Sequence, residues 1–491
     1  MLERVTDILG VHAASRPHQL AVADGEIALD WQALDQAVSA AAARLAGQGL
    51  LAGDRVALCA SDGAAALVAA LAVLRAGGVH APVDHTLAPA EVGQLIVALR
   101  PPWRAALPAR ATLADVAAMR LDSTGQAREA DPLGGAGSAF LRLSSGTTGA
   151  AKGVLLSHAS IIARIAAANR GLQLGLNDRM LWLLPMAYHF AVSILLYLRV
   201  GTAVVFGNAL RASATAASAR ARLVTALYAS PYHIRRLAEL PPGQDLPGSL
   251  RLAVSTTTAL DAGAAAAFHA RHGLGVRQGL GIIEVGLPFL SPGGPGEQPG
   301  ELGAPLPDYA VSILDELGAE LSDGQPGELA IRGPGLCDAY LDPWRTREEI
   351  LWRGQFRTGD RACRASDGSV RLLGRIKDVI NVGGVKVFPL EVESVLDAHP
   401  QVVASRVTPA ADPRLGEQVH AEVQLRAGSA AEETITALQE WCAERLAPLK
   451  RPARFSVVEQ LAMTASGKVR RPGEVPPPPA ASGGSGSDVQ G

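Results

Sequence analysis

Cysteine is scarce: the 491 residues include 4, and Cys59, Cys337, Cys363 and Cys442 lie far apart with no CxxC pair. That spacing excludes a paired-cysteine zinc module and a disulfide framework, and it suits a reducing compartment. Charge of one sign is also lacking, since 45 Lys+Arg oppose 47 Asp+Glu for a formal net charge of −2. Without a basic surplus there is no electrostatic footprint for nucleic acid or an anionic membrane surface. Long apolar runs are missing too. The stretch Ala64 to Leu74 ends in Arg-Ala-Gly-Gly, well short of the roughly 20 residues a membrane helix needs. The first residues, Met-Leu-Glu-Arg-Val-Thr-Asp, show no basic region followed by an apolar stretch. No signal peptide is therefore expected, and the expected location is the cytoplasm.

What is present is an alanine-rich chain, 48% hydrophobic and 19% charged, long enough for two or three domains. Over residues 1–130 helical patterns alternate with short apolar strands. Ala37 to Leu45 reads as helix, Arg55 to Cys59 as strand and Ala64 to Arg75 as helix. The alternation returns over Leu223 to Leu240 and Leu250 to Phe268, which predicts mainly parallel sheets with packed helices. From about residue 291, Pro/Gly turns and alternating strands such as Ala310 to Leu314 and Gly327 to Arg332 predict a small β subdomain. A further change near Lys377 predicts a compact α+β unit of about 100 residues. The expected fold class is α/β, with a large domain over 1–376, a small α+β domain over 377–471 and a Pro/Gly/Ser-rich disordered tail over 472–491.

The most informative segment is Leu143-Ser-Ser-Gly-Thr-Thr-Gly-Ala-Ala-Lys-Gly153. Small and hydroxylated residues let backbone N–H groups approach an anion closely, and the hydroxyls and one lysine add donors. The segment follows an apolar stretch and precedes a helix that Ser157 can cap, the usual setting for phosphate binding. A Walker A loop needs glycine before its lysine, but Ala151 stands there, so a P-loop NTPase is disfavoured.

This loop resembles the signature of the adenylate-forming superfamily: acyl- and aryl-CoA ligases, amino-acid adenylation domains and luciferases. Further matches follow in order. Leu74 to Asp84 resembles an early glycine motif and Phe356-Arg-Thr-Gly-Asp360 the ribose motif. Gly374 to Gly384 is similar to the hinge with its following loop, and Thr464-Ala-Ser-Gly-Lys468 to the C-terminal lysine motif. The resemblance implies ATP and Mg²⁺, with coenzyme A or phosphopantetheine as thiol co-substrate. It assigns Ser144, Ser145, Gly146, Thr147, Thr148, Gly149 and Lys152 to the nucleotide phosphates, with Thr147 also catalytic. Thr257, Thr258, Leu280 and Gly281 fall beside adenine, while Asp360 and Arg375 fall at the ribose. Glu284 is the implied metal ligand. Lys468 is the implied catalytic lysine on a mobile small domain, Lys377 its hinge, and Gly383-Gly384 the lining of a thiol tunnel.

The acid pocket falls to Trp182, Tyr188, His189, Phe190, Ser230, Tyr232 and Ser255. The chain also departs from the pattern. Ile283 occupies a threonine position, Leu280 an aromatic one, and Thr256 and Thr257 stand where glycines are usual. The expected activity is an ATP-dependent acid–thiol ligase acting on a small carboxylic acid, with no nucleic-acid partner and no membrane span. One alternative is a free-standing enzyme that loads an amino or β-amino acid onto a separate carrier protein. Another is a catalytically weakened nucleotide-binding protein, suggested by Ile283 and the threonines. The sequence sets no oligomeric state.

Overall fold

The computed structural model describes residues 3–134, 137–144, 152–208, 211–294 and 297–462. Among them are four sheets. The first has eight strands, of which six run parallel in the order Val276–Ile282, Leu252–Ser255, Ala226–Ala229, Arg179–Trp182, Ala203–Phe206 and Leu20–Asp24. Antiparallel edges, Gly286–Leu290 and Ile27–Asp30, close its two sides. The second eight-stranded sheet has a parallel centre of Ser138–Ser144, Val79–Asp84, Arg55–Ala60 and Trp103–Ala106. Lys152–Ser157 runs antiparallel beside Ser138–Ser144. The predicted β subdomain is a five-stranded antiparallel sheet that includes Gly327–Arg332, Phe356–Arg364 and Val370–Arg375. The fourth sheet, built from Ile380 onward, packs with Pro389–Asp397 and Ala431–Arg445 around its own core of Val387, Val392, Val407, Val423, Leu438 and neighbours.

One apolar core joins the inner faces of the two large sheets and the helices Trp31–Gly47, Ala64–Arg75 and His158–Leu172. The middle helix is buried over every residue from Ala64 to Leu74. Alanine makes this possible, because it is the best helix former and small enough to pack on all sides. Asp24, at the end of a strand in the first sheet, accepts the Ala64 N–H at 3.0 Å and so supplies the missing cap. Gly63 is obligatory here: its φ is +144°, and a Cβ would sit 2.5 Å from the Asp24 carboxylate. The helix Trp31–Gly47 begins six residues before the periodic segment predicted from Ala37, because Asp30 caps it by accepting from Ala33 N–H. No described helix is long and apolar enough to cross a membrane.

In both large sheets the parallel strands present their carboxyl ends to one side. Trp182, Ala229 and Ser255 stand there in the first sheet, and Asp84 and Ser144 in the second. Loops at such ends are where open α/β sheets bind ligands.

Candidate active site

Ser144 closes its strand directly opposite Lys152, the first residue of the next. The intervening calls, Ser145, Gly146, Thr147, Thr148 and Gly149, lie outside the described residues, as does Lys468. Beyond them, Ser157 caps the helix His158–Leu172 as predicted, its hydroxyl accepting from Ser160 N–H at 3.0 Å.

Glu284 sits in the turn between Val276–Ile282 and Gly286–Leu290 and is only 8% exposed. The Ser144 hydroxyl and the Tyr340 phenol both donate to its Oε1, each at 3.4 Å. Lys152 Nζ stands 5.0 Å over the Tyr340 ring, a cation–π distance. Burial and the Glu284 charge both push the Tyr340 phenol pKa upward, so it stays a donor. The turn itself is clamped by the buried Arg164, which donates to the carbonyls of Ile283 at 2.7 Å and Gly335 at 2.8 Å. Cys337 N–H donates to the Glu284 carbonyl at 2.7 Å. Gly335 has φ +70°, and a Cβ there would meet the Ser160 carbonyl at 2.2 Å. The chain can approach Arg164 only at a glycine. Ile283 points into the apolar core, whereas Leu280 is half-buried and Gly281 exposed.

Arg142, two residues before Ser144 and therefore on the same face of the strand, donates to the Tyr188 carbonyl. Its guanidinium lies 5.8 Å from the centre of the Tyr188 ring. Burial lowers its pKa, and the neighbouring Glu284 opposes that shift. The Tyr188 phenol is pushed up to about 12 by burial, with Asp84 adding to the shift as a hydrogen-bonded neighbour.

Asp360 and Arg375 face each other across adjacent strands, with Nε to Oδ1 at 2.8 Å. Thr358 tightens this corner. Its hydroxyl accepts from Asp360 N–H at 3.0 Å and donates to the Leu329 carbonyl at 2.9 Å. Lys377 is exposed on the short turn Ile376–Asp378 that leads into the fourth sheet. Gly383 and Gly384 form an exposed hairpin with φ of +57° and +90°, the mirror-image turn that glycine makes easily.

Of the predicted acid-pocket residues, Trp182 and His189 come together. Trp182 stacks on Tyr228 at 5.7 Å, and His189 meets both rings edge-on at 5.9 and 6.4 Å. Phe190 starts a wide π-helical turn, Phe190–Ile194, and packs into the core against His80 and Phe140. Such turns rotate the faces of a helix and recur at functional sites. Ser230 caps the helix Pro231–Ala238 and shares a 2.8 Å hydrogen bond with His233. Tyr232 is 43% exposed on that helix and lies against His233, apart from the aromatic cluster. Ser255 is 1% exposed, and its hydroxyl has no hydrogen-bond partner among the described residues.

The loop after Ser255 is strained. Thr257 has φ +84° and a buried hydroxyl without a partner among the described residues, whereas Thr258 is exposed. A β-branched residue in left-handed backbone is a true outlier, costing about 1–2 kcal/mol. Thr257→Gly is therefore expected to raise stability by about 0.5–1 kcal/mol after glycine's own entropy cost. A urea midpoint that falls would mean that the hydroxyl holds the loop.

Sequence reasoning missed Arg142, Arg164 and Tyr340. Each acts through a partner more than 40 residues away, such as Ile283 for Arg164. The available local signal was a lone arginine in the apolar strand Ala139-Phe-Leu-Arg-Leu143.

Comparison with known proteins identifies the family. The family profile "AMP-binding enzyme" matches residues 9–341, and "AMP-binding enzyme C-terminal domain" matches 391–468. Sulfoacetate–CoA ligase of Cupriavidus necator is 34% identical over 68% of this chain and 66% of its own length. Feruloyl-CoA synthase of Amycolatopsis is 29% identical over 94% and 96%. ATP-bound MatB from Rhodopseudomonas palustris superposes with TM-score 0.81 at 26% identity, covering 94% of this chain and 97% of that one. The two matched regions and the sheet architecture agree: the chain belongs to the AMP-binding enzymes, the adenylate-forming family.

Proposed function

We propose that this chain activates a carboxylic acid with ATP, forming acyl-AMP and pyrophosphate, and then passes the acyl group to a thiol. The observation that carries this reading is the meeting of Ser144, Lys152 and a buried Glu284 at the strand ends. A carboxylate attacking the α-phosphorus must overcome repulsion between anions, so cations and oriented donors have to surround that atom. Lys152, Ser144 and the loop 145–149 meet the phosphates. Asp360, oriented by Arg375, accepts from the ribose hydroxyls. Leu280, Gly281, Thr257 and Thr258 border adenine.

Glu284 fits a Mg²⁺ ligand. It is a buried carboxylate whose hydroxyl contacts are long, at 3.4 Å, and Mg²⁺ is commonly held by one or two carboxylates plus substrate phosphates and water. When bound, Mg²⁺ supplies the charge that neutralises the phosphate oxygens. Lys468 adds a cation between acid and α-phosphate. In this reading residues 1–376 bind ATP and acid, 377–471 turn about Lys377, and Gly383-Gly384 line the thiol's path. Coenzyme A is the favoured thiol because two of the similar proteins named above are a CoA ligase and a CoA synthase; a carrier-borne phosphopantetheine is the alternative.

The acid pocket of Trp182, His189 and Tyr228, with Ser255 at its edge, favours an acid without an α-ammonium. The segment Leu181 to Leu198 holds no carboxylate. The adjoining Asp62 and Asp84 are engaged by Met186 N–H at 2.8 Å and by Thr86. An ammonium buried there would find no carboxylate from this segment and would have to compete for the engaged Asp62 or Asp84, which disfavours it. In an ATP–pyrophosphate exchange screen, unaminated aliphatic or aromatic acids are expected to outpace their α-amino counterparts. Robust exchange with an amino acid and none with simple acids would overturn this and favour carrier loading.

A further inference from the structure

We infer that Arg142 binds the reacting carboxylate of the acid substrate, a role that rests on the acid-activating reading above. Arg142 lies where the two halves of the site meet. It donates to the carbonyl of Tyr188 and packs over that ring on the acid side, and Glu284 is its charged neighbour on the phosphate side. Its Nε is buried and has no hydrogen-bond partner among the described residues. A shielded guanidinium N–H left without an acceptor is costly, and the cost is removed when an anion arrives. Charge on this wall points the same way. Arg142 and Lys152 stand with the Glu284 carboxylate around Ser144 and Tyr340, and the buried Arg164 adds a further positive charge beside Glu284.

A guanidinium presents a planar fork of N–H donors, and a carboxylate presents two coplanar oxygens. Lys152 is placed over Tyr340 and serves the phosphates, so among the described residues of this wall Arg142 is the cation placed to meet the acid, acting beside the Lys468 of the proposed reading. The contact belongs to one step. When a carboxylate oxygen attacks the α-phosphorus and pyrophosphate leaves, the carboxylate becomes a neutral acyl group in a mixed anhydride. Arg142 then has no anionic carboxylate to hold, and the acyl group is freed to meet the thiol. Arg142 thus contributes to acid binding and adenylation and little to thioester formation.

The test uses the full chain with Arg142→Met and Arg142→Lys. The probes are those of benzoate, hexanoate, malonate and sulfoacetate that support pyrophosphate exchange by the wild-type chain. Losing a charge-assisted contact is expected to raise the acid KM of Arg142→Met about ten- to a hundredfold, with the ATP KM within about twofold. Arg142→Lys should recover part of the loss by restoring charge without the fork. Thioester formation from supplied acyl-AMP should stay within about threefold of wild type. An unchanged acid KM overturns the assignment, as does a parallel loss in both half-reactions with a lowered melting temperature. A rise confined to malonate and sulfoacetate overturns it too, because Arg142 would then hold a distal acidic group. A wild-type chain that exchanges pyrophosphate with no acid overturns the acid-activating reading itself. An active wild type with an unaffected Arg142→Met overturns the Arg142 role alone.

Discussion

Glu284→Gln is expected to lower pyrophosphate exchange by about 10²–10³, the scale for removing one electrostatic stabiliser of the transition state. The substitution keeps the side chain's size, and its amide oxygen can still accept from Ser144 and Tyr340, now 3.4 Å from the carboxylate. What it removes is the negative charge. If Glu284 holds Mg²⁺ as proposed, the ion would lose this protein anion, so the Mg²⁺ concentration for half-maximal exchange should rise several-fold. Folding should be untouched, because the turn is held through backbone carbonyls by Arg164 and Cys337 rather than through the carboxylate. The measurement is exchange rate against Mg²⁺, with a thermal melt as control. Unchanged metal dependence would remove Glu284 from the metal site.

Lys468→Ala is expected to cost adenylation a similar 10²–10³ in kcat while leaving thioester formation from supplied acyl-AMP nearly intact. The basis is the motif Thr464-Ala-Ser-Gly-Lys468, on whose last residue the matched C-terminal region ends. A cation that bridges acid and α-phosphate is needed while charge develops, and not after the anhydride has formed. Pre-steady-state assays of each half-reaction separate the outcomes. Equal loss in both would refute the division of labour between the steps.

Much of the fold is legible in the sequence because its signals are local. Alternation of apolar strands with alanine-rich helices predicts the parallel sheets, and the Pro/Gly turns after residue 291 predict the antiparallel one. The juxtaposition of Ser144 and Lys152 is foreshadowed by the local run of small and hydroxylated residues that ends in a lysine, which suits close approach to an anion. Arg142 and Tyr340 are not foreshadowed, because their meaning lies in contacts that only the assembled sheets create. Tyr340 reaches Glu284 across 56 positions. The acid-side segment fails differently. From Tyr188 to Phe190 three consecutive residues point to three surroundings: Arg142, the Trp182–Tyr228 stack and the Phe140 core. Ordinary helical periodicity does not foresee the π-helical turn that begins at Phe190.

The enclosed helix Ala64–Arg75 has a consequence for cooperativity. Its apolar surface is covered all round, so neither large sheet can come apart without uncovering the same helix. Hydrophobic cost then couples the two sheets into one unfolding unit, a single foldon in place of two stacked halves. The unit built from Ile380 onward has its own closed core and shares no such helix. Its stability therefore does not depend on that helix, and in the proposed reading, where the small domain turns between the two half-reactions, such a separate core would let it move while the large body stays folded.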